Sequence, residues 1–337
     1  MARGKKDGGA TLIDVASAAG VSVITASRAL RGQGPMSDET RDRVRRAAES
    51  LSYRRNPIAA SLVSSSSNLV GVIVPSLANI VFVDVLAGID AAIAPAGFRT
   101  IIGVSNYDRA EESRLVDSFL GWRPAALVLT GLEHEPATIT RLQADGTRCI
   151  EIMDLGAAAV DVMIGFSHET AGRVSAQHLL SRGYRRIGYV GHDLTRDSRA
   201  AKRHRGFVTA LAEAGLALRA ERMLPAPSGV AAGRQALADL LTDTPDVDAV
   251  YFSNDDMAIG GMFHCLSQGI DVPGRLGIMG FNALDIGQEL PRPLTTIRTP
   301  RREIGLAAGQ AALDLSAGRP VARQSVIDFT LIAGATA

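Results

Sequence analysis

The stretch TLIDVASAAGVSVITASRALR, residues 11–31, decides the architecture of the amino-terminal part of this chain. Thr11 and Asp14 have the spacing of a capping box, in which each residue bonds the backbone N–H of the other. A short helix is therefore predicted from this point through Ala19. Small and apolar residues recur along it at helical spacing, so one of its faces can pack against a neighbouring helix.

The same stretch predicts a second helix at a tight turn from the first. Gly20 can take the left-handed conformation that ends a helix, and Ser22 is placed to cap the next one, Val23–Arg31. Ser37 caps a third helix that runs to about Leu51, with two acidic residues in its first turn, where the helix dipole favours them. Two short helices joined in this way are typical of a helix-turn-helix, whose second helix is free to enter a DNA major groove.

The distribution of charge agrees with a module that binds a polyanion. Residues 1–66 hold 11 basic and 6 acidic side chains, whereas the remaining residues hold 25 basic and 29 acidic ones. A basic first fifth on an acidic body suggests nucleic-acid binding, although a charge run alone can also be a solvated surface.

A hinge is predicted between this headpiece and the rest of the chain. Asn56 and Pro57 are a helix start, with Asn as the N-cap and Pro at the first helical position. The helix that follows, residues 58–63, is only about two turns long and therefore marginal in isolation. Four serines, residues 64–67, then form a flexible joint. We assign the headpiece to residues 1–55 and the hinge and linker to residues 56–67.

From residue 68 onward, apolar runs alternate with amphipathic helices, which predicts parallel α/β sheets covered by helices on both faces. About 270 residues exceed what one such sheet usually holds, so two lobes are expected, with ligands at the carboxyl ends of the strands. We place the first lobe at about 68–166 and 299–323 and the second at about 167–295 and 324–337. The predicted strands are 69–74, 100–104, 125–130, 186–190, 248–252 and 276–280.

Other classes of protein find little support in the sequence. Cys149 and Cys265, the two cysteines, suggest buried thiols rather than disulfides or a metal site. The amino terminus lacks the apolar region of a signal peptide, and no apolar run reaches the length of a membrane span. The sequence lacks glycine-rich nucleotide loops and nucleophile elbows. It also lacks a zinc-protease motif, since His134-Glu135 and His168-Glu169 have no second histidine at the required spacing. The expectation is a cytoplasmic protein that is not an enzyme, with no cofactor and no metal.

Several motifs resemble the lactose-repressor family. They are the 11–30 stretch, VIVP at 72–75, SNDDMA at 253–258 and LTTI at 294–297, in order and at family spacing. The resemblance covers essentially the whole chain. It implies an α/β fold class, with an all-α helix-turn-helix headpiece and a two-lobed core similar to periplasmic sugar-binding proteins. It also implies a homodimer that binds double-stranded DNA at a palindromic operator.

The resemblance assigns DNA-binding roles to named positions. Val23, Ile24 and Arg28 match base-reading positions, and Arg28 could donate two bonds to a guanine edge. Leu62 matches a leucine that inserts into the minor groove; its alternative role is a core contact. Arg55 departs from the proline that the family often has there and is a candidate phosphate contact. The full set is Thr11, Ser22, Val23, Ile24, Thr25, Ser27, Arg28, Tyr53, Arg55, Asn56, Ala59 and Leu62.

The resemblance also assigns an effector site between the lobes. Arg203 matches the ligand-binding arginine, and a fixed arginine suits a carboxylate ligand. Asp154 and Asn254 have the alternative role of capping neighbouring helices, and His134 could line the cleft or be incidental to it. The full set is Asn79, Phe82, Thr130, Asp154, Phe166, Arg203, Asn254, Asp255 and Asn282.

Within the family, motifs such as 76–82, 152–155 and 280–288 most resemble the gluconate-repressor branch. The expected effector is therefore gluconate or a related sugar acid. Since no leucine-heptad tail follows the last apolar run, 326–332, a dimer held by core helices is expected.

A transport-type sugar-binding protein would need a signal peptide and no headpiece. A sugar-modifying enzyme would need a catalytic motif.

Overall fold

The computed structural model describes residues 10–32, 34–53, 67–225 and 228–337. The chain forms two compact units, one ending at Ser67 and one running from Asn68 to Ala337. Four positions to which the sequence assigns DNA contacts lie outside the described residues, namely Arg55, Asn56, Ala59 and Leu62.

The amino-terminal unit contains three helices, α1 (Leu12–Ala19), α2 (Val23–Arg31) and α3 (Asp38–Ser50). The capping box is present, because Thr11 N–H donates to Asp14 Oδ2 at 2.8 Å and Asp14 N–H donates to Thr11 Oγ1 at 3.3 Å. Gly20 ends α1 with φ at 62°, and Ser22 Oγ accepts from Thr25 N–H at 3.1 Å to begin α2. The predicted helix-turn-helix is confirmed.

Small side chains allow these three helices to pack closely. Their shared core consists mostly of alanines and valines, with Leu12, Val21, Leu30, Met36 and Tyr53 packed at its margin. Alanine loses no side-chain entropy on burial, and its small side chain lets helix backbones approach closely. A core made of such small side chains suits a unit of about 40 described residues. The side chains that α2 does not bury are therefore available at the surface.

The first lobe of the core is a six-stranded parallel sheet in the order β11-β5-β4-β3-β1-β2. All residues of its three central strands except Leu69 are buried, as expected for a parallel sheet covered on both faces. Its strands are β1 (Leu69–Val74), β2 (Arg99–Val104), β3 (Ala126–Thr130), β4 (Cys149–Ile152), β5 (Val162–Gly165) and β11 (Gln324–Val326).

The second lobe is a four-stranded parallel sheet in the order β7-β6-β8-β9. Two further short strands, β10 (Thr296–Arg298) and β12 (Thr330–Ile332), pair antiparallel. The sheet strands are β6 (Ile187–His192), β7 (Ala220–Leu224), β8 (Ala249–Phe252) and β9 (Gly277–Met279). Each predicted strand has a counterpart here or in the first lobe; the ends of β1 agree, and those of the other strands differ by at most two residues.

One predicted lobe boundary is wrong. The segment 324–337 was assigned entirely to the second lobe, yet Gln324–Val326 adds an edge strand to the first sheet, with Gln324 in register with Met163. Bonds from Met163 N–H to Arg323 O and from Ile327 N–H to Gly165 O extend this pairing. The chain therefore crosses to the second lobe only after Val326, and Thr336 there bonds the backbone of Ile278.

Helices cover both sheets and pack in pairs. α4 packs against α12, α7 against α8, and α9 against α10. Among the described residues, no single helix is long and apolar enough to cross a membrane. Only α1 and α2 taken together have the length and apolar composition of a membrane span, and this pair is bent by 100°. The core helices are α4 (Ile80–Ile93), α5 (Arg109–Leu120), α6 (Pro136–Asp145), α7 (His168–Ser181), α8 (Ser198–Glu213), α9 (Val230–Asp243), α10 (Asp255–Gln268), α11 (Asp285–Gln288) and α12 (Arg301–Ser316).

Candidate functional site

A cleft of ≈ 280 Å³ lies between the two lobes, at the carboxyl ends of their strands. Asn79 and Tyr107 line it from the first lobe, and Asp197 and Asn254 from the second. The same four residues also line a deeper pocket that contains Phe82, Phe166, Arg203 and Asn282. Six of the nine predicted effector-site residues therefore line these two adjoining pockets.

Arg203 is the best-supported member of this site. It lies on α8 and is only 5% exposed. Its Nη1 donates to His168 Nδ1 at 3.1 Å and its Nη2 to the Ser253 carbonyl at 3.2 Å, while its guanidinium carbon lies 4.1 Å from the Phe281 ring centre. These contacts fix the plane of the guanidinium, and its Nε–H has no partner within the described residues.

The imidazole ring of His168 is neutral when it accepts the hydrogen bond from Arg203. Burial, and then the positive charge of Arg203, hold the pKa of His168 well below its usual range. His168 Nε2 lies 2.7 Å from the Met153 carbonyl oxygen, which can only accept, so Nε2 carries the proton. Nδ1 is then the acceptor that Arg203 requires.

Close packing between helices sets the position of α8. A Cβ atom on Gly172 of α7 would lie 1.9 Å from the Arg203 carbonyl oxygen. Only glycine permits this approach, since real Cβ atoms do not come that near a backbone oxygen. Arg203 is therefore located by backbone contact as well as by its side-chain bonds.

Five charged residues of these pockets were missed from the sequence: Asp197 and Arg199 in the deeper pocket, and Asp193, Arg196 and Asp256 in the outer cleft. Asp197 caps α8 by accepting from the N–H groups of Arg199 and Ala200, each at 3.1 Å. Arg199 is 8% exposed, and its guanidinium carbon lies 5.7 Å from the Phe82 ring centre. Burial alone raises the pKa of Asp197, but Arg199, His192 and Arg203 together hold it far below its usual range.

The deeper pocket has a defined charge, which differs from that of the outer cleft, where Asp193, Arg196 and Asp256 add about −1. Among the described residues that line the deeper pocket, the charged ones are Asp197, Arg199 and Arg203, and His168 is neutral. One carboxylate against two guanidinium groups leaves a net charge of about +1 in a buried space. A ligand with a single negative charge would neutralise it.

Amide side chains supply neutral polar groups. Asn282 Nδ2 donates to Asn254 Oδ1 at 3.0 Å, and Asn79 Oδ1 accepts from Val81 N–H at 3.1 Å at the start of α4. Asn282 has φ at 110°, a strained backbone of the kind that often marks a ligand site. Asn79 also bonds Tyr107, and Asn282 Oδ1 accepts from Thr299 Oγ1 at 3.5 Å, so a ligand with several hydroxyl groups would join or replace these bonds.

Three predicted effector contacts are engaged elsewhere. Asp255, fully buried, accepts from Thr296 Oγ1 and from Leu284 N–H, each at 2.7 Å, and burial raises its pKa to about 6. Asp154 is ion-paired with Lys202. Thr130 donates to the Ile73 carbonyl at 3.1 Å and lines a smaller neighbouring pocket. These contacts are structural and leave the direct ligand role of each residue without support.

A simple signal could have identified one of the missed residues. Arg199 precedes Arg203 by four positions, so both lie on one face of a helix. Tyr107 gives no such signal, because it follows β2 in a loop where both Asn106 and Tyr107 have positive φ, 53° and 58°. Loop conformations of this kind are set by tertiary contacts rather than by periodicity.

In the amino-terminal unit, α2 presents a mixed apolar and basic face. Val23 is 42% exposed, Ile24 is 66% exposed, and Arg28 is also exposed. Thr25 and Ser27 are half-buried, and Tyr53 packs at the margin of the core. An exposed helix of this type fits a DNA major groove, where apolar side chains contact thymine methyl groups and arginine contacts guanine.

Comparisons with known proteins agree with both units. The family model of bacterial regulatory proteins of the lacI family matches residues 11–56, and that of periplasmic binding proteins and the sugar-binding domain of the LacI family matches residues 67–334. The HTH-type transcriptional regulator GntR of Pseudomonas aeruginosa is 42% identical over 321 residues, which cover 95% of this chain and 92% of that protein.

Solved structures extend the likeness to the fold. The crystal structure of a LacI-family transcriptional regulator from Silicibacter pomeroyi has a TM-score of 0.91 at 40% identity, covering 97% of this chain and 99% of the other. The Lac repressor dimer bound to operator and the anti-inducer ONPF has a TM-score of 0.84 at 25% identity, covering 98% and 99%. These relatives are transcriptional regulators rather than enzymes.

Proposed function

Since the chain belongs to the LacI family of bacterial regulatory proteins and is a DNA-binding transcriptional regulator, we propose that gluconate or a closely related sugar acid controls its affinity for a palindromic operator. The protein acts as a repressor. Effector binding in the cleft favours a lobe arrangement with lower operator affinity, which is a shift between two states that bind DNA differently.

The observation that carries the proposal is the fixed cation in the cleft. Arg203 is buried, held by His168 and Phe281, and lies in a pocket whose net charge is about +1. A buried arginine without a carboxylate partner is costly, and a carboxylate ligand would remove that cost. A neutral sugar would leave the charge unbalanced.

The rest of the cavity suits the hydroxylated chain of a sugar acid. Asn79, Asn254 and Asn282 offer hydrogen-bond donors and acceptors, while Phe82 and Phe166 offer apolar surface. Paired polar groups beside an aromatic face are the usual combination for binding polyols. The resemblance of the sequence to the gluconate-repressor branch selects gluconate among such ligands.

For DNA, we propose that α2 reads bases through Val23, Ile24 and Arg28, and that Thr25 and Ser27 contact phosphates. Thr11, Ser22 and Tyr53 are further proposed contacts. Arg55, Asn56, Ala59 and Leu62, which lie outside the described residues, are assigned to the hinge contacts by the family resemblance. Leu62 is the proposed minor-groove wedge.

A homodimer is also proposed. On α4 and just before it, Leu77, Ile80 and Val83 are 49%, 52% and 47% exposed, and on α10 Leu266 is 80% exposed. Apolar side chains grouped on helix faces in this way commonly mark an interface. Two copies joined along these helices would present two headpieces to the two halves of a palindromic site.

Isothermal titration calorimetry on the full chain tests the effector assignment. Gluconate should bind at least about tenfold more tightly than glucose, because a charge-assisted hydrogen bond contributes roughly 1.5–3 kcal/mol. Because glucose is a ring and gluconate an open chain, the hexitol glucitol, which is open-chain and has no carboxylate, is the matched neutral ligand, and it should bind at least about tenfold more weakly than gluconate. Tighter binding of glucose than of any sugar acid would exclude the carboxylate proposal, although the DNA-binding assignment would stand.

A further inference from the structure

A partly buried ion-pair cluster joins the two lobes beside the effector cavity. Lys202, on α8 of the second lobe, lies 2.7 Å from Glu133 Oε1 and within hydrogen-bond distance of Asp154 Oδ2. Glu133 follows β3 and Asp154 follows β4, so both carboxylates belong to the first lobe. Ser198, four residues before Lys202, also donates to Glu133 Oε2 at 2.6 Å. One helix of the second lobe therefore holds two loops of the first.

This cluster is separate from the ligand-lining residues. Neither Lys202 nor Asp154 lines the cleft or its deeper pocket. Lys202 lies three residues after Arg199 and so on a neighbouring part of the helix surface, but its ammonium is engaged by Glu133 and Asp154 rather than by the cavity. A substitution at Lys202 therefore leaves the proposed ligand contacts in place.

The energetics of the cluster depend on whether the lobes are closed. The Asp154 side chain is 1% exposed and that of Lys202 is 21% exposed. Burial raises the pKa of Asp154, and the ammonium of Lys202 opposes this effect. Opening the lobes would return both carboxylates to water. Removing the ammonium would therefore penalise the closed state specifically, because an unpaired carboxylate would remain buried there.

We propose that Lys202 is a positioning residue that clamps the effector cleft shut, so that effector affinity in this protein includes a salt-sensitive contribution from lobe closure. The link to effector affinity rests on the proposed function, whereas the clamp itself does not. By this account Lys202 sets the concentration of effector at which the regulator responds, without touching the effector.

The lobe arrangement can be measured without any ligand. Spin labels are placed at S118C on α5 and at Q235C on α9. These helices lie beside β2 and β7, which are the edge strands of the two sheets farthest from the connections between the lobes. Both native residues are exposed. Diluting the labelled chain with unlabelled chain isolates the distance within one copy. K202M should shift the distance distribution toward longer values, and K202R should retain the distribution of the parent.

A matched control lies on the same helix. Arg205 pairs with Glu169 of α7 at 3.2 Å, so this ion pair joins two helices of one lobe. R205M removes the same charge from α8 but should leave the interlobe distance unchanged. Raising NaCl from about 0.05 to about 0.5 M should move the parent part of the way toward the K202M distribution, because the partly exposed Lys202–Glu133 pair is screened more than buried Asp154, and it should leave K202M itself unaffected.

Effector affinity provides the second measurement, with sodium gluconate as the probe. K202M should weaken binding roughly 5- to 30-fold, as expected for coupling to a conformational equilibrium, and R205M less than about twofold. In a double-mutant cycle, E133Q should add little to K202M. If gluconate fails to bind the parent, the effector assignment is wrong, and the distance measurement still decides the clamp. A K202M distance distribution identical to that of the parent would overturn it.

Discussion

Replacing Arg203 by methionine is expected to weaken gluconate binding by about one to two orders of magnitude and to leave operator affinity almost unchanged. Methionine keeps much of the side-chain volume over the Phe281 ring, but it removes the charge that faces the ligand. Loss of a charge-assisted hydrogen bond costs roughly 1.5–3 kcal/mol, and about 1.4 kcal/mol corresponds to a tenfold change in affinity.

The Arg203 prediction is checked by calorimetry with gluconate and by operator binding of the same preparations. Arg205→Met is the matched control, because Arg205 is exposed, lies two residues away on α8 and pairs only with Glu169 in the described part of the chain. It should bind gluconate as the parent does. An Arg203→Met protein that binds gluconate within about threefold of the parent would show that the carboxylate lies elsewhere.

The stability of the first lobe is expected to fall as pH rises from about 6.5 to about 9. His134 is buried, with Nδ1 at 2.6 Å from Glu112 Oε1 and Nε2 at 3.3 Å from Glu151 Oε1. Burial alone lowers the pKa of His134, but the two carboxylates outweigh it and raise the pKa to about 9. His134 is thus part of a structural ion-pair cluster, which favours the incidental alternative over a ligand contact.

The sign of the pH dependence follows from linkage. The native state binds the proton of His134 more tightly than the unfolded state, whose pKa is near 6.5. The stabilisation is therefore fully present below pH 6.5 and is lost as pH rises through 9. At about 1.4 kcal/mol per pKa unit, a shift from 6.5 to about 9 corresponds to a loss on the order of 3 kcal/mol.

Urea unfolding measured between pH 6 and 9.5 tests the His134 prediction. Trp122 is the one tryptophan of the chain, and its ring centre lies 5.3 Å from that of Phe119, on which it stacks. Phe119 belongs to the helix that carries Glu112, so the fluorescence of Trp122 reports on this lobe. His134→Gln should unfold with a much flatter pH profile, whereas His264→Gln in the second lobe should match the parent. Equal pH slopes for His134→Gln and the parent would contradict the assigned role.

The three amino-terminal helices and six of the twelve strands in the described part of the chain were predictable because their signals are local, whereas the buried strands β4 and β5 and the short strands β10, β11 and β12 were not predicted. Helix α2 was predicted with the ends that the structure has, since Ser22 and Gly32 cap it chemically. Strand β7, Ala220–Leu224, was not predicted, because it lies at a sheet edge and alternates half-buried and exposed residues such as Glu221 and Arg222. The three-residue strand β11 was assigned to the wrong lobe, since nothing within it specifies its partner.

Part of the site was predictable through the family resemblance, which assigned residues that line the cavity. Arg203 on α8 and Asn79 at the start of α4 line the cavity as expected. Asp154 and Asp255 show the limit of assigning ligand roles from the sequence. A carboxylate that follows a strand can equally form an ion pair or accept a hydrogen bond from a loop. Which role it takes depends on partners distant in sequence, such as Lys202 and Thr296, and only the folded chain brings these together.

The most direct test of the central claim is the release of DNA by a sugar acid. A palindromic operator, selected from random duplexes with the full chain and labelled with a fluorophore, is titrated with protein and followed by anisotropy. Saturating gluconate should weaken operator binding by at least about tenfold, a typical allosteric coupling, and glucose at the same concentration should not. If the protein selects no sequence, or if every sugar acid tested leaves the bound operator in place, a sugar-acid-controlled repressor is the wrong account.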